Sequence, residues 1–160
     1  MEFAHPARNV AALGVEPGMS IADFGSGSGA YVLAIAERLE GAGHVYAIDI
    51  QKDLLRRIAN DSHKRGHQNV KVVWGDLEKA EASKLGSGMM DVVFVSNLLF
   101  QVEDKAAVIA EARRILRPNG KLAIIDWSES FGGMGPHKKD VFKKDDARSL
   151  AKSEGPEIRS

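Results

Sequence analysis

Short runs of apolar residues alternate along the chain with longer stretches in which apolar and charged positions recur at helical spacing. Each apolar run is rich in β-branched residues and ends at a polar residue or a glycine, which is typical of strands buried on both faces of a parallel sheet. The proline and glycine of 117-RPNG-120 are expected to end the last helix. The predicted strands are 20–24, 44–49, 70–74, 91–96 and 121–126, and the predicted helices are about 6–13, 30–40, 51–66 and 103–116.

This alternation of strands and helices predicts repeated βαβ units, and hence an α/β fold with a doubly wound, Rossmann-like parallel sheet. We expect the strand order 3-2-1-4-5. The length of 160 residues corresponds to one domain, and we therefore predict a single domain over residues 1–160.

Composition narrows the class of protein. Formal net charge is zero, so the chain as a whole has no electrostatic preference for nucleic acid or an anionic membrane. The absence of cysteine excludes disulfides, thiolate metal ligands and cysteine nucleophiles. The first residues lack the order of a signal peptide, and no apolar run approaches the ~20 residues of a membrane span. We expect a cytoplasmic protein with no metal site.

A glycine-rich segment, 25-GSGSGA-30, follows the first predicted strand. A glycine turn between a strand and a helix lets a ligand approach the backbone closely, and this segment also fits the dinucleotide pattern G-x-G-x-x-A. Asp49 ends the second strand, where a carboxylate can accept hydrogen bonds from ribose hydroxyls. Asp76 follows the third strand and is placed to accept from an exocyclic adenine amine, with Leu77 against the ring. Together these residues predict a nucleoside site at the carboxyl edge of the sheet.

Asp23 lies two residues before the first of these glycines and decides between two nucleoside ligands. A carboxylate there would repel the pyrophosphate of NAD, whereas it would attract an ammonium group. S-adenosyl-L-methionine carries an ammonium, a sulfonium, a ribose and an adenine, and has no phosphate. The sequence therefore favours S-adenosylmethionine over NAD as the cofactor.

These motifs together resemble those of class I S-adenosylmethionine-dependent methyltransferases, and in particular the broad group that contains ubiquinone/menaquinone C-methyltransferases. The resemblance covers about residues 1 to 155 and rests on five segments. They are 23-DFGSGSG-29, 45-VYAID-49, 75-GD-76, 91-DVVFVSNLLF-100 and 111-EARRILRPNGKLAIIDW-127.

The resemblance implies a set of cofactor contacts, in which the glycines line the methionine part, Asp49 the ribose and Asp76 the adenine. It also implies that Ser96 and Asn97 border the cofactor at the end of the fourth strand. The full expected cofactor-binding set is Asp23, Gly25, Ser26, Gly27, Gly29, Asp49, Ile50, Gly75, Asp76, Leu77, Ser96 and Asn97.

The methyl acceptor is expected to be a small molecule, reached by in-line displacement of the methyl group, with Asn97, Phe100 and Trp127 as candidate acceptor contacts. No general base is identified. The stretch 97-NLLF-100 also resembles the N-[LI]-P-[FY] element of methyltransferases that modify adenine amines in rRNA, although Leu99 replaces the proline. RNA methylation is therefore a second hypothesis, and a cofactor-binding module without catalysis is a third.

The sheet of this family normally has seven strands, whereas the sixth and seventh have no counterpart before Ser160. Their absence would leave the fifth strand at the edge of the sheet, where an unpaired apolar strand invites association. We expect either a homodimer through that edge or a cover supplied by 128–155.

Overall fold

The computed structural model describes residues 5–96, 98 and 102–125, together with the backbone of 158–159. Its elements in chain order are α1 (Pro6–Ala12), β1 (Ser20–Phe24), α2 (Ala30–Leu39), β2 (His44–Asp49), α3 (Lys52–Lys64), β3 (Val70–Trp74), β4 (Met90–Ser96), α4 (Lys105–Ile115), β5 (Leu116–Ile125) and β6 (Ile158–Arg159).

The five long strands form a parallel sheet in the order β3-β2-β1-β4-β5, which confirms the predicted α/β fold and strand order. β6 extends this sheet beyond β5, where Ile158 and Arg159 pair in parallel with Leu122 and Ala123. A sixth strand, which the sequence analysis expected to be missing, is therefore present, and two of its residues are described. The proposed cover over 128–155 lies outside the described residues.

Successive residues of β1 show how the sheet is buried on both faces. Ala22 and Phe24 pack in one apolar cluster with α4, while Ile21 packs in a second cluster with α1, α2 and α3. Because side chains alternate along a strand, Asp23 lies on the same face as Ile21, where the helices exclude water. The carboxylate is completely buried as a result.

The start of β5 differs from the sequence prediction. α4 ends at Ile115 as expected, but the strand begins directly afterwards and includes the predicted break 117-RPNG-120. Met90 of β4 pairs with Leu116, and the next pair joins Val92 to Lys121, so β5 bulges between them. Asn119 turns the chain inside this bulge with a left-handed φ of 68°. The proline and glycine therefore shape a bulge within the strand.

No helix among the described residues is both long and apolar enough to cross a bilayer. Within the same residues, no group of three histidine or acidic side chains is arranged to hold a metal ion.

Candidate cofactor site

A cleft of about 190 Å³ lies at the carboxyl ends of β1, β2 and β3. Parallel strands bring the loops that follow them to one edge of the sheet, and this edge is where ligands bind in open α/β folds. The described residues that line the cleft are Gly25, Gly27, Asp49, Ile50, Gln51, Leu54, Gly75, Asp76, Leu77, Glu78, Leu98 and Val102.

The loop between β1 and α2 needs glycine because its backbone is left-handed and closely packed. Gly25, Gly27 and Gly29 have φ values of 74°, 53° and 85°. A Cβ at Gly25 would lie 2.8 Å from Leu98 Cβ, and one at Gly29 would lie 2.7 Å from Ile58 Cγ1. A side chain at either position would therefore push against a neighbour as well as strain the backbone.

Four of the five backbone amides from 25 to 29 already donate hydrogen bonds inside the protein. The bonds run from Gly25 N and Ser26 N to Ile48 O (2.9 and 3.4 Å), from Gly27 N to Asp49 Oδ2 (3.0 Å) and from Gly29 N to Ser26 O (2.8 Å). A phosphate at a glycine loop is normally held by free amides of this kind. The loop is therefore poorly suited to a pyrophosphate.

Asp49 is fixed at the lip of the cleft by hydrogen bonds from both sides. Its Oδ2 accepts from Gly27 N at 3.0 Å, and its Oδ1 accepts from Gln51 N at 2.9 Å. Each carboxylate oxygen can accept a further hydrogen bond, so both remain able to bind a ligand hydroxyl. The glycine loop and the end of β2 thus hold one carboxylate in a defined orientation.

Asp23 lies behind the glycine loop as a buried acid with one unpartnered oxygen. Ser96 Oγ donates to its Oδ1 at 2.9 Å, while Oδ2 has no hydrogen-bond partner among the described residues. Burial raises the pKa of Asp23 to about 7, although the hydrogen bond from Ser96 acts in the opposite direction. A cationic donor near Oδ2 would satisfy this oxygen and favour the ionised carboxylate.

The far end of the cleft combines one acid with apolar walls. Asp76 Oδ1 accepts from Glu78 N at 3.1 Å, which fixes the carboxylate within a tight turn after β3. Leu77 is buried beside it, whereas Ile50 is 54% exposed. These two side chains give this end an apolar lining suited to a flat ring.

Glu78 joins the loop after β3 to the start of α4. Its Oε1 accepts from Glu103 N at 3.0 Å and from Asp104 N at 2.8 Å. Asp104 in turn caps α4 by accepting from Ala107 N at 3.0 Å. The side of the cleft that contains Val102 is therefore attached to the side that contains Asp76.

The structure brings seven of the predicted cofactor residues to the cleft and places four others behind it. Those on the cleft are Gly25, Gly27, Asp49, Ile50, Gly75, Asp76 and Leu77. Those behind it, which support the loop or fill its base, are Asp23, Ser26, Gly29 and Ser96. Three predicted contacts, Asn97, Phe100 and Trp127, lie outside the described residues.

Five lining residues were not predicted from the sequence. Gln51 is the N-cap of α3 and Leu54 lies in its first turn, so their i, i+3 spacing directly after Asp49 could have identified them. Glu78 was indicated only by its position two residues after Asp76. The remaining two, Leu98 and Val102, come from the connection between β4 and α4, where sequence gives no measure of how far the chain folds back.

Comparison with known proteins identifies a family. A model of the family described as methyltransferase domain matches residues 15–154. The ubiquinone/menaquinone biosynthesis C-methyltransferase UbiE of Bordetella avium is 30% identical over 122 residues, which cover 76% of this chain and 46% of that protein. Nocamycin O-methyltransferase of Saccharothrix syringae is 34% identical over 108 residues, which cover 68% of this chain and 38% of that protein. The chain thus spans less than half the length of these two relatives.

A solved structure agrees with this assignment. A SAM dependent methyltransferase from Aquifex aeolicus superimposes with a TM-score of 0.83 at 25% identity, over 94% of this chain and 78% of that one. Fold, motifs and sequence similarity therefore agree, and the chain belongs to the S-adenosylmethionine-dependent methyltransferase family.

Proposed function

We propose that this domain transfers a methyl group from S-adenosyl-L-methionine to a small-molecule acceptor, with the cofactor lying in the cleft at the ends of β1, β2 and β3. Two observations together carry the proposal. Most amides of the glycine loop already donate hydrogen bonds within the protein, and the buried Asp23 behind the loop has an oxygen with no partner among the described residues. This combination suits a cation and disfavours a phosphate.

The amino-acid end of the cofactor fits next to the glycine loop. Asp23 supplies negative charge beneath the loop, and its unpartnered Oδ2 is available to an ammonium group either directly or through one ordered water. Asp49 adds a second carboxylate at the lip. The ammonium therefore lies near two carboxylates, Asp23 and Asp49, which stabilise its positive charge. The loop amides, most of which already donate hydrogen bonds, would stabilise an anion poorly.

The nucleoside end fits the remaining part of the cleft. The orientation of Asp49, fixed by Gly27 and Gln51, presents its carboxylate to two ribose hydroxyls. Asp76 accepts from the adenine amine, while Ile50 and Leu77 enclose the ring. This placement accounts for each acid and each apolar side chain of the predicted set that lines the cleft.

The contribution of the protein to the reaction is mainly positioning. When bound, S-adenosylmethionine supplies an activated methyl group on sulfur, which leaves by in-line displacement. Residues of the loop and strand ends hold that group in one orientation and keep water away from it, and good alignment is worth roughly 7–11 kcal/mol of a barrier.

A small-molecule acceptor is supported by the names of related enzymes. They include a nocamycin O-methyltransferase, ubiquinone/menaquinone C-methyltransferases and an arsenite methyltransferase, each matching two thirds or more of this chain. The acceptor contacts proposed from sequence are Asn97, Phe100 and Trp127. RNA is the competing acceptor and is distinguished by experiment.

Two measurements test this function. Isothermal titration calorimetry should detect S-adenosylmethionine and its demethylated product, and should detect no NAD. Incubation with radiolabelled methyl donor and separate metabolite and RNA pools should then label the metabolite fraction. The double variant Asp49→Ala, Asp76→Ala is the matched control and should label neither pool. Binding of NAD, or label confined to RNA, would overturn the proposal.

A further inference from the structure

We propose that the outer edge of β3 is a docking edge at which an acidic, β-branched segment of a partner protein adds as a further strand. The edge ends the sheet among the described residues, since β3 pairs only with β2. Strand addition at such an edge combines main-chain hydrogen bonds with contacts from alternate side chains. This proposal does not depend on the identity of the cofactor.

Exposed apolar side chains are concentrated at this edge. Of the four large hydrophobic side chains exposed among the described residues, Ile50, Val72 and Trp74 lie on or beside β3, and only Met89 lies elsewhere. Val72 and Trp74 are 38% and 46% exposed and share one face of the strand, two residues apart. Trp74 Nε1 donates to Ile50 O at 2.8 Å, which holds the indole beside Ile50.

The hydrogen-bonding groups of the edge can be assigned from two bonds to β2. Asn69 O accepts from Val45 N at 2.9 Å, and Gly75 N donates to Asp49 O at 3.1 Å. The backbone N–H and C=O groups of the odd-numbered residues in this segment are therefore directed toward β2. In a parallel ladder alternate residues point the other way. The N–H and C=O groups of 70, 72 and 74 are therefore directed outward, and two of these residues, Val72 and Trp74, also supply exposed side chains of this edge.

The positive charge along this edge favours a partner with acidic side chains. Lys52 Nζ lies 4.9 Å from the centroid of the Trp74 ring and Lys84 Nζ lies 5.5 Å from it. Lys71 lies within the strand on the face opposite Val72 and Trp74, with its Nζ 6.0 Å from the Tyr46 ring centroid. Three lysines thus flank one short apolar edge, and they are complementary to acidic side chains on an incoming strand.

The same charges argue against a second copy of this chain as the occupant. A two-fold axis at Val72 would bring two copies of β3 together as antiparallel neighbours. Each Lys71 would then lie diagonally across from its counterpart, about 7–8 Å away. Like charges at such distances destabilise strand pairing, whereas an acidic segment relieves the repulsion.

The test uses two synthetic eight-residue peptides, one of alternating Glu and Val and the other of alternating Lys and Val. Titration of the ¹⁵N-labelled full chain should give saturable shifts with the acidic peptide, with a Kd below ~1 mM. The shifts should centre on Val70–Trp74, and the amides of 70, 72 and 74 should gain protection from exchange. The basic peptide should give no such shifts.

Variants assign the effect to the edge. Val72→Pro removes an outward N–H without breaking the ladder to β2, and should weaken the acidic peptide about tenfold or more. The double variant Lys52→Glu, Lys84→Glu should weaken binding of the acidic peptide by a similar factor, because it reverses the charge beside Trp74. Met89→Glu, at a comparably exposed apolar position elsewhere, is the control and should leave binding unchanged. Circular dichroism establishes that each variant is folded.

Four results would overturn the proposal. Equal binding of both peptides would show non-specific association, and shifts centred away from β3 would show another site. A dimer that Val72→Pro converts to a monomer, without binding of the acidic peptide, would show that a second copy occupies this edge. Absence of any binding up to millimolar peptide would remove the docking edge altogether.

Discussion

At the scale of single residues, Asp49 holds the glycine loop and also faces the cleft. Its two oxygens accept from Gly27 N and Gln51 N, one on each side of the site. A carboxylate already anchored in this way loses little conformational entropy when a ligand binds, which makes it an effective hydrogen-bond acceptor. Cofactor affinity should therefore depend on this residue in two ways, through direct contact and through the loop.

Replacement of Asp49 by alanine is expected to weaken S-adenosylmethionine binding by about a hundredfold or more. Hydrogen bonds to a charged group are worth about 1.5–3 kcal/mol each, and the variant also releases Gly27 N. Calorimetry measures the affinity, and a melting curve shows whether the fold persists. Asp49→Asn keeps one acceptor oxygen, and its cofactor affinity should lie between those of the parent and the alanine variant. An unchanged affinity in the alanine variant would contradict the ribose assignment.

Asp23 should make the free energy of unfolding depend on pH. The pKa of its carboxyl, raised by burial to about 7 in the folded chain, is close to 3.8 when exposed. Between these values the folded state holds a proton that the unfolded state has released, so stability falls as pH rises from about 4 to 7. Above pH 7 both states are ionised and the loss, on the order of a few kcal/mol, is complete.

Asp23→Asn tests this dependence because it keeps the shape of the side chain and removes the ionisation. Urea unfolding between pH 4 and 8 should show a shallower loss of stability in the variant than in the parent. Ser96→Ala removes the donor to Oδ1 and should move the titration to higher pH. Identical pH profiles in the parent and Asp23→Asn would rule out a raised pKa at this carboxyl.

At the scale of elements, a buried ionic network joins α4 to the loop before β4. Glu111 Oε2 accepts from Ser83 N at 3.1 Å and from Ser83 Oγ at 2.6 Å, while Arg114 Nε donates to Glu111 Oε1 at 2.7 Å. Arg114 also reaches Leu85 O at 2.8 Å. Burial alone would raise the pKa of Glu111, but the hydrogen bonds from Arg114 and Ser83 outweigh it and lower that pKa.

Glu111→Ala should destabilise the domain by about 3 kcal/mol or more, because it leaves the two donors of Ser83 buried without an acceptor and removes the partner of Arg114. Urea denaturation at neutral pH measures the change. The control is Asp53→Ala on α3, where the ion pair with Arg56 is largely exposed and its loss should have no measurable effect. Equal behaviour of the two variants would show that the Glu111 network contributes little.

The elements themselves were largely predictable from the sequence because their patterns are local. Apolar runs such as 44–49 and 70–74 identified strands with the observed limits, and the alternation with helices implied their order in the sheet. The bulge of 117–120 was not predictable in this way. A proline and a glycine favour a break, and only pairing with Met90 draws the segment into β5.

The site was predictable to the extent that it depends on strand ends. Gly25, Asp49 and Asp76 each follow or end a strand, so topology alone brings them together. The unpartnered oxygen of Asp23 depends on which face of β1 the helices cover, and Glu78 depends on contact with residues 103–104. Both features arise from packing between distant segments, which sequence spacing does not specify.

At the scale of the whole molecule, the two edges of the sheet differ in how they are paired. β3 has an outer edge with no strand beyond it among the described residues, whereas β5 is paired over Leu122 and Ala123 by the two residues of β6. An apolar strand without such pairing offers its backbone to other chains. The short β6 is therefore expected to limit association at the β5 edge.

Removal of residues 156–160 tests this role. Because Ile158 and Arg159 pair with Leu122 and Ala123, their loss should speed hydrogen exchange at β5 amides directed toward β6 by about tenfold or more, while β5 amides bonded to β4 stay protected. Light scattering should show concentration-dependent association of the shortened chain. The 160-residue chain with Arg159→Ala is the matched control, because a backbone pairing tolerates this change. Unaltered exchange and an unaltered mass would mean that the two β6 residues do not protect this edge.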